Sequence, residues 1–438
     1  MFWDRLEVWP MEGSKQQSKS KRGLFLPLVP YNAAIAGLGT LVPLAILALR
    51  GTVIDVSLAA VAYNLALIPA PLIWGYVCDV TGSRKKILML SAAIIAASSV
   101  GMYFTDSIPA IIFFYAAIAH ATGMLAPALN LLIIESVPKG EWDEGYTRSS
   151  WYSTVGTIAG LGVGMAWSFS LPSLTFLAAC AAFAFGSVAL TACYVRDPPM
   201  SIERRTFLLN PLAFVNRLAQ LPLMFVRVPK KADFTSMIKM TREELTRDIP
   251  VIVLSSVLFS ASLNIFFTSY TPYLKENQLT NWEVYFTSLY IAAMNGLASR
   301  VILRRMRGTV TVQIASSALA VRALGMLLAA FFAIFVSGYL TLYSTLLSFT
   351  LLGVAYTVIT INLNSLFFKA LPAGRQGGLL GVYSAFNGIA LFAGSLSSGY
   401  VSFYLGYPMT FFLGALLVFL SAAVLQAHFG GTPQSSYE

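Results

Sequence analysis

The feature of this sequence that most constrains its fold is a series of long apolar runs. A helix needs about 20 consecutive apolar residues to cross the hydrocarbon core of a bilayer. Runs of that order lie near 23–49, 54–77, 87–104, 108–137, 147–170, 172–195, 249–275, 280–303, 310–336, 339–368, 377–402 and 406–428. Because backbone polar groups in lipid must be satisfied within their own segment, these runs should be helical. We therefore predict an all-α membrane protein with twelve transmembrane helices.

The composition and the placement of charge agree with this class. Hydrophobic residues make up 57% of the chain and charged residues 11%, whereas soluble domains carry about a quarter charged residues. If the runs alternate in direction, nearly all 29 Lys and Arg residues fall on one side; Arg50 and Lys275 lie on the other side, and Arg322 lies within a run. The positive-inside rule then predicts a multi-pass protein of the cell membrane with cytoplasmic termini. This placement accounts for the net charge of +10 without a nucleic-acid partner.

One long polar stretch divides the runs into six and six. It predicts an N-terminal tail (1–22), a six-helix bundle (23–195), a linker (196–248), a second bundle (249–428) and a C-terminal tail (429–438). Within the linker, 207–226 is interrupted by Pro and Arg, and we expect it to lie on the membrane surface. The halves also echo each other, since 135–156 and 369–388 both run through Pro-x-Gly to a Tyr-Ser pair and a Gly. Such internal duplication is typical of secondary transporters.

The loop after the second run, GYVCDVTGSRK (75–85), resembles the signature loop of the major facilitator superfamily. The matching residues are Gly75, Asp79, Gly82, Arg84 and Lys85, and Val80 departs from the pattern because a base is usual there. The resemblance implies two pseudo-symmetric six-helix bundles that work by alternating access. It also implies an inner gate, in which Asp79 faces the start of the eleventh helix near Gly377. The alternative is a tight turn whose bases serve topology alone.

A second set of charges lies at the same side of the predicted bundle. Glu135 ends the fourth run and Arg148 begins the fifth. We predict that these two residues form a gate charge pair. The alternative is that both are independent, solvated side chains.

Polar residues at helical spacing mark the faces that could line a substrate cavity. The resemblance implies that helices one, four, seven and ten enclose it. Stripes on these four runs hold Asn32, Ala36, Gly39 and Pro43; His120, Gly123, Pro127 and Asn130; Ser256, Ser260, Asn264 and Thr268; and Gly353, Tyr356, Thr360 and Asn364. The cavity candidates are Asn64, His120, Ser260, Asn264, Tyr356, Thr360 and Asn387. Each stripe could instead be contact between helices.

Two titratable residues within the runs leave their roles open. His120 could carry a proton or act as a neutral hydrogen-bond partner. Arg322 could contact an anionic substrate or pack against carbonyls of another helix. No Asp or Glu falls deep in a run, which favours facilitated diffusion, substrate exchange, or coupling through Glu135, Asp79 or His120 over a buried carboxylate as the proton site.

These observations predict a secondary transporter, favoured as an exporter of amphipathic or drug-like compounds. The Gly-rich run GTIAGLGVG (156–164) resembles the fifth-helix motif of exporters in that superfamily, with Leu161 where the motif has Pro. The alternatives are a facilitator or proton symporter of a small polar metabolite, and a receptor or scaffold that transports nothing. We expect a monomer that contacts membrane lipid and a small-molecule substrate. No enzyme motif, metal-ligand pattern or cofactor motif is evident, so we predict none of these.

Overall fold

The computed structural model describes residues 23–136, 142–197, 248–305, 312–371 and 376–429. Residues 79, 80, 143, 301–305 and 376–381 are described by their backbone alone. The helices of the first half are α1 (Leu28–Ala48), α2a (Val53–Leu67), α2b (Ala70–Thr81), α3 (Arg84–Tyr103), α4 (Ile108–Ser136), α5 (Trp142–Ser170) and α6 (Phe176–Tyr194). Those of the second half are α7 (Asp248–Glu276), α8 (Asn281–Arg305), α9 (Val312–Phe335), α10 (Leu340–Ala370), α11 (Gln376–Leu405) and α12 (Tyr407–Phe429).

The prediction of an all-α membrane fold is confirmed. Each of the twelve apolar runs corresponds to a helix, with α2a and α2b together forming the second. Within the described residues, ten helices are long and apolar enough to cross a bilayer. The exceptions are α5, which begins with polar residues and carries four glycines at its centre, and α8, which carries Asn, Glu and Arg. These two helices pack on each other, so each has a neighbour other than lipid.

The second crossing is divided by proline. A capping box starts α2a, because the backbone N–H and the hydroxyl of Thr52 both donate to Asp55 Oδ2, at 2.7 and 2.9 Å. The helix then stops at Leu67, and α2b begins one residue after Pro69. Proline has no N–H to donate and its ring crowds the preceding turn, which interrupts a helix. The break allows α2b to take a direction different from that of α2a.

The two halves repeat the same helix packing. In the first half α1 packs on α5 and α6, α3 packs on α4 and α6, and α2 packs on α4. In the second half α7 packs on α11 and α12, α9 packs on α10 and α12, and α8 packs on α10. Between the halves, α2a meets α11 and α5 meets α8. Each pair of contacts relates equivalent helices, which gives the bundle an approximate twofold symmetry.

Close helix approach in both halves depends on glycine. A Cβ placed on Gly160 in α5 would lie 2.2 Å from the carbonyl oxygen of Ala33 in α1. A Cβ on Gly394 in α11 would lie 2.3 Å from the carbonyl oxygen of Ala261 in α7. Small residues let helix backbones approach closely in membranes. The Gly-rich run of α5 therefore has a packing role that α11 shares.

We call the face where α1 begins and α12 ends the terminus face, and the other the opposite face. The predicted tails and the linker lie outside the described residues, except for 196, 197, 248 and 429. The domain boundaries and the surface helix of the linker stay predictions.

Candidate functional site

A cavity of about 750 Å³ lies between the two halves. Most of its lining residues belong to the parts of their helices nearer the terminus face. They are Asn64, Leu67, Ile68, Pro71 and Leu72 from α2; Ser256, Phe259, Ser260 and Leu263 from α7; Tyr356, Thr360, Leu363 and Asn364 from α10; and Tyr383, Ser384, Ala385, Asn387, Gly388 and Leu391 from α11, with Ile68 between α2a and α2b. Among these residues none is charged. The volume suits a small organic molecule.

This lining includes only part of the expected helix set. Helices α7 and α10 contribute as expected, but the described lining includes no residue of α1 or α4, and α2 and α11 stand in their place. Five predicted cavity residues line it, namely Asn64, Ser260, Tyr356, Thr360 and Asn387. His120 and Asn264 do not.

Five residues on α7, α10 and α11 form a connected polar cluster on one wall: Ser256, Ser260, Asn364, Tyr383 and Asn387. The hydroxyls of Ser256 and Ser260 donate to Asn387 Oδ1 at 2.9 and 2.7 Å. Ser256 also shares a 2.8 Å hydrogen bond with the hydroxyl of Tyr383, which lies 3.2 Å from Asn364 Oδ1. The wall thus presents hydroxyl and amide groups without formal charge. Such groups orient a polar substituent of a ligand.

Toward the opposite face the two halves close on each other. The hydroxyl of Ser57 in α2a donates to the carbonyl oxygen of Ser395 in α11 at 2.5 Å, and Asn64 Nδ2 donates to Ser395 Oγ at 2.8 Å. A second contact between the halves joins the segment before α6 to the start of α8, where Asn281 Nδ2 donates to Ser173 Oγ at 2.8 Å. These contacts join the two halves between the cavity and the opposite face.

The polar stripe of α4 packs on α2b instead of facing the cavity. The indole N–H of Trp74 donates to His120 Nε2 at 3.0 Å. A Cβ on Gly123 would lie 2.5 Å from Cβ of Ala70. Because the indole N–H can only donate, Nε2 of His120 is the acceptor of this hydrogen bond. In this conformation His120 does not line the cavity, since α2b lies in front of α4.

Asn264 also serves helix packing. Its Nδ2 donates to the carbonyl oxygen of Leu391 in α11 at 2.9 Å. The side chain is therefore held at the contact between α7 and α11, beyond the end of the polar cluster. A helical stripe indicates which face is polar but not which neighbour covers it.

The signature loop ties the first half together at the terminus face. Gly82 ends α2b with φ +66°, the left-handed conformation that favours glycine at a helix C-terminus. Arg84 is buried, and its Nη2 lies 2.6 Å from Glu135 Oε1 at the end of α4. The backbone N–H of Lys85 donates to Asp197 at 2.7 Å and its Nζ donates to the carbonyl oxygen of Ala192 at 2.6 Å.

The predicted charge pair is therefore replaced by two others. Glu135 pairs with the buried guanidinium of Arg84, and Arg148 pairs with Glu144, four residues away on the exposed face of α5. An (i, i+4) partner on the same helix is within reach at any orientation of the bundle. Gly75 packs near Pro127 of α4. The expected approach of Asp79 to Gly377 concerns side chains outside those that the structure describes.

Some lining residues were not predicted. Tyr383 and Ser384 form the Tyr-Ser pair noted in the repeat, and Tyr383 stands four residues before Asn387, on the same helix face. That spacing was the signal that could have found Tyr383. Ile68 and Pro71 had no such signal, because apolar residues beside a proline break are not distinguished by sequence pattern.

Comparison with known proteins agrees with the repeated twelve-helix architecture. The family model described as Major Facilitator Superfamily matches residues 24–394. The chain belongs to the major facilitator superfamily. This membership indicates a membrane transporter. A comparison with curated proteins finds no match.

Solved structures of superfamily transporters share the fold. A nucleoside transporter, NupG, aligns with TM-score 0.68 at 14% identity over 95% of this chain and 99% of its own. The xylose transporter XylE from E. coli, in an inward-open conformation, aligns with TM-score 0.67 at 14% identity over 97% of both chains. A peptide transporter, POT, in complex with sulfate aligns with TM-score 0.69 at 13% identity over 93% of this chain and 94% of its own.

Proposed function

We propose that the protein is an alternating-access carrier that exports an amphipathic small molecule, with the described cavity as its substrate site. The observation that carries this proposal is the lining itself. Most of the cavity surface is apolar, with Leu, Ile and Phe side chains among its lining residues, and the polar cluster occupies one wall. A ligand with an apolar body and one polar end fits such a lining.

The arrangement of the halves supports the transport mechanism. The Ser57–Ser395 and Asn64–Ser395 contacts hold α2a against α11 toward the opposite face. Opening that face requires these bonds to break while the halves approach at the terminus face. We propose that the structure represents an inward-open state, with both termini in the cytoplasm of a cell whose plasma membrane holds the protein as a monomer.

A second candidate is a facilitator or proton symporter of a small polar metabolite. The polar cluster favours it, because five uncharged hydrogen-bonding side chains could also hold a hydroxylated ligand. In the described lining no carboxylate is available to carry a coupled proton. This favours transport without a proton site in the cavity.

The test is transport by purified protein in proteoliposomes. Fluorescent amphipathic compounds and radiolabelled sugars are compared, with protein-free liposomes as the control and with and without a pH gradient. The proposal expects saturable movement of an amphipathic compound. Movement of sugars alone would favour the second candidate. Specific binding of a compound without any transport would indicate a receptor.

We also propose that the signature loop gates the terminus face, with Asp79 as the residue that favours the outward-open state by facing the start of α11. A helix N-terminus carries partial positive charge and attracts a carboxylate. The variant Asp79→Asn should slow transport and shift the balance of conformations. Unchanged transport and an unchanged balance would contradict this role.

A further inference from the structure

Arg322 lies in the middle of α9, directly behind one wall of the cavity. Its side chain is 1% exposed. Its guanidinium carbon lies 5.3 Å from the ring centroid of Phe259 and 5.7 Å from that of Tyr356. Both rings line the cavity. The cation is therefore separated from the cavity by one layer of aromatic side chains.

The hydrogen bonds of this guanidinium are incomplete. Nη1 donates to the carbonyl oxygen of Leu352 at 2.9 Å. Nε and Nη2 are buried and have no hydrogen-bond partner among the described residues. No carboxylate of the described residues pairs with Arg322, whereas the buried Arg84 has Glu135 at 2.6 Å. An ionised group at this depth in a membrane protein is costly and is expected to have a functional partner.

The aromatic wall in front of Arg322 is described by contacts between rings. The rings of Phe259 and Tyr356 stack on each other with centroids 6.3 Å apart. Within the described residues no hydrogen bond holds the hydroxyl of Tyr356. The Tyr356 residue as a whole is half buried. A turn of the Tyr356 ring would open the free donors Nε and Nη2 to the cavity.

We propose that Arg322 forms an anion subsite behind this wall, and that the substrate is an amphipathic molecule with one anionic group such as a carboxylate. The inference rests on the proposed function, since it assigns the polar end of the transported molecule. The planar fork of Arg matches the two oxygens of a carboxylate. The apolar body then lies along Leu67, Ile68 and Leu363, which line the same cavity.

The test compares two probes that differ in charge alone, 4-phenylbutyrate and 4-phenylbutyramide. Binding to the purified protein in lipid nanodiscs is measured by calorimetry. Charge-assisted hydrogen bonds between the guanidinium and a carboxylate correspond to at least about a ten-fold preference over the neutral amide. We expect the wild type to bind the carboxylate about ten-fold more tightly than the amide.

Three variants assign the preference to Arg322. Arg322→Met should bind both probes with the affinity that the wild type has for the amide. Arg322→Lys keeps the charge and should keep part of the preference. Arg50→Met removes the same charge from an exposed site at the opposite face and should leave the preference unchanged.

Any other result contradicts the proposed anion subsite at Arg322. Equal binding of the two probes by the wild type, or an unchanged preference in Arg322→Met, would show that Arg322 only packs the helices. If Arg322→Met does not fold, Arg322→Lys and the wild-type comparison still decide. Binding of neither probe by the wild type would also overturn the subsite. The proposed function is then judged by its own transport measurement, in which the neutral amphipathic compounds need no anion subsite.

Discussion

The two halves of the molecule have the same helix packing but use their polar side chains differently. In the first half, Trp74 bonds His120 between α2b and α4, and Arg84 pairs with Glu135 between α3 and α4. In the second half, the polar cluster of α7, α10 and α11 faces the cavity. The repeat therefore preserves packing between helices, while the polar lining of the cavity comes mainly from the second half.

Equivalent residues show this difference most clearly. The Tyr-Ser pair of the repeat places Tyr152 against Phe25 inside the first half, with ring centroids 6.3 Å apart. Its counterpart Tyr383 lines the cavity and bonds Ser256. A repeated motif in the sequence thus predicts where a helix packs better than it predicts what its side chains do.

The largest expected effect tests what the halves share. Gly160→Val and Gly394→Val should each lower the free energy of unfolding by about 3 kcal/mol or more, because the added side chain meets a carbonyl that cannot move aside. Thermal unfolding in detergent measures the loss. Gly162→Val is the matched control, since a Cβ there has no neighbour within 4 Å. If valine is tolerated in one half but not in the other, the helix contacts of the two halves are not equivalent.

A smaller loss of stability is expected when the charge pairs of the first half are disrupted. Glu135→Gln leaves the buried guanidinium of Arg84 without its carboxylate partner and should cost about 2 kcal/mol of stability. Glu144→Gln disrupts an exposed pair with Arg148 and should cost under about 1 kcal/mol. The same unfolding assay compares them. Equal costs would mean that the Arg84 pair is no more buried in solution than the Arg148 pair.

The polar cluster should affect transport more than stability. Asn387→Ala removes the acceptor of Ser256 and Ser260, and we expect about a ten-fold loss of transport efficiency. The melting temperature should change little, because both serines can turn to carbonyls of their own helix. Initial rates in proteoliposomes measure the effect. Full transport by a folded Asn387→Ala protein would show that the polar cluster is not part of the substrate site.

The smallest effect is expected at His120. His120→Phe loses one hydrogen bond to Trp74 and should cost about 1 kcal/mol of stability. Because the imidazole is bonded to Trp74 and lies behind α2b, outside the cavity lining, the ratio of transport rates at pH 6 and pH 8 should not change. Loss of the pH dependence of transport in this variant would instead identify His120 as a proton site. It would also show that the first half takes part in proton coupling.

Much of the fold follows from the sequence, because length and apolarity alone decide which segments cross a bilayer. Each of the twelve predicted runs has its helix, and the polar lining residues of α7 and α10 lie on the stripes that helical spacing predicts. In this structure His120 and Glu135 have neighbours other than the expected ones, for one reason. Spacing along a helix defines a face, but the neighbour of that face depends on tertiary packing, here on the position of α2b and on the partner chosen by Arg84.

The central claim is that the two halves rock around the cavity, and distance measurements across both faces test it most directly. Spin labels at Lys86 and Lys369 report on the terminus face, and labels at Phe104 and Tyr339 report on the opposite face; all four side chains are exposed. The exposed Cys193 is first replaced by serine. With a transported compound, we expect the Lys86–Lys369 distance to shorten and the Phe104–Tyr339 distance to lengthen. If both distances stay fixed, or change in the same direction, the claim is contradicted.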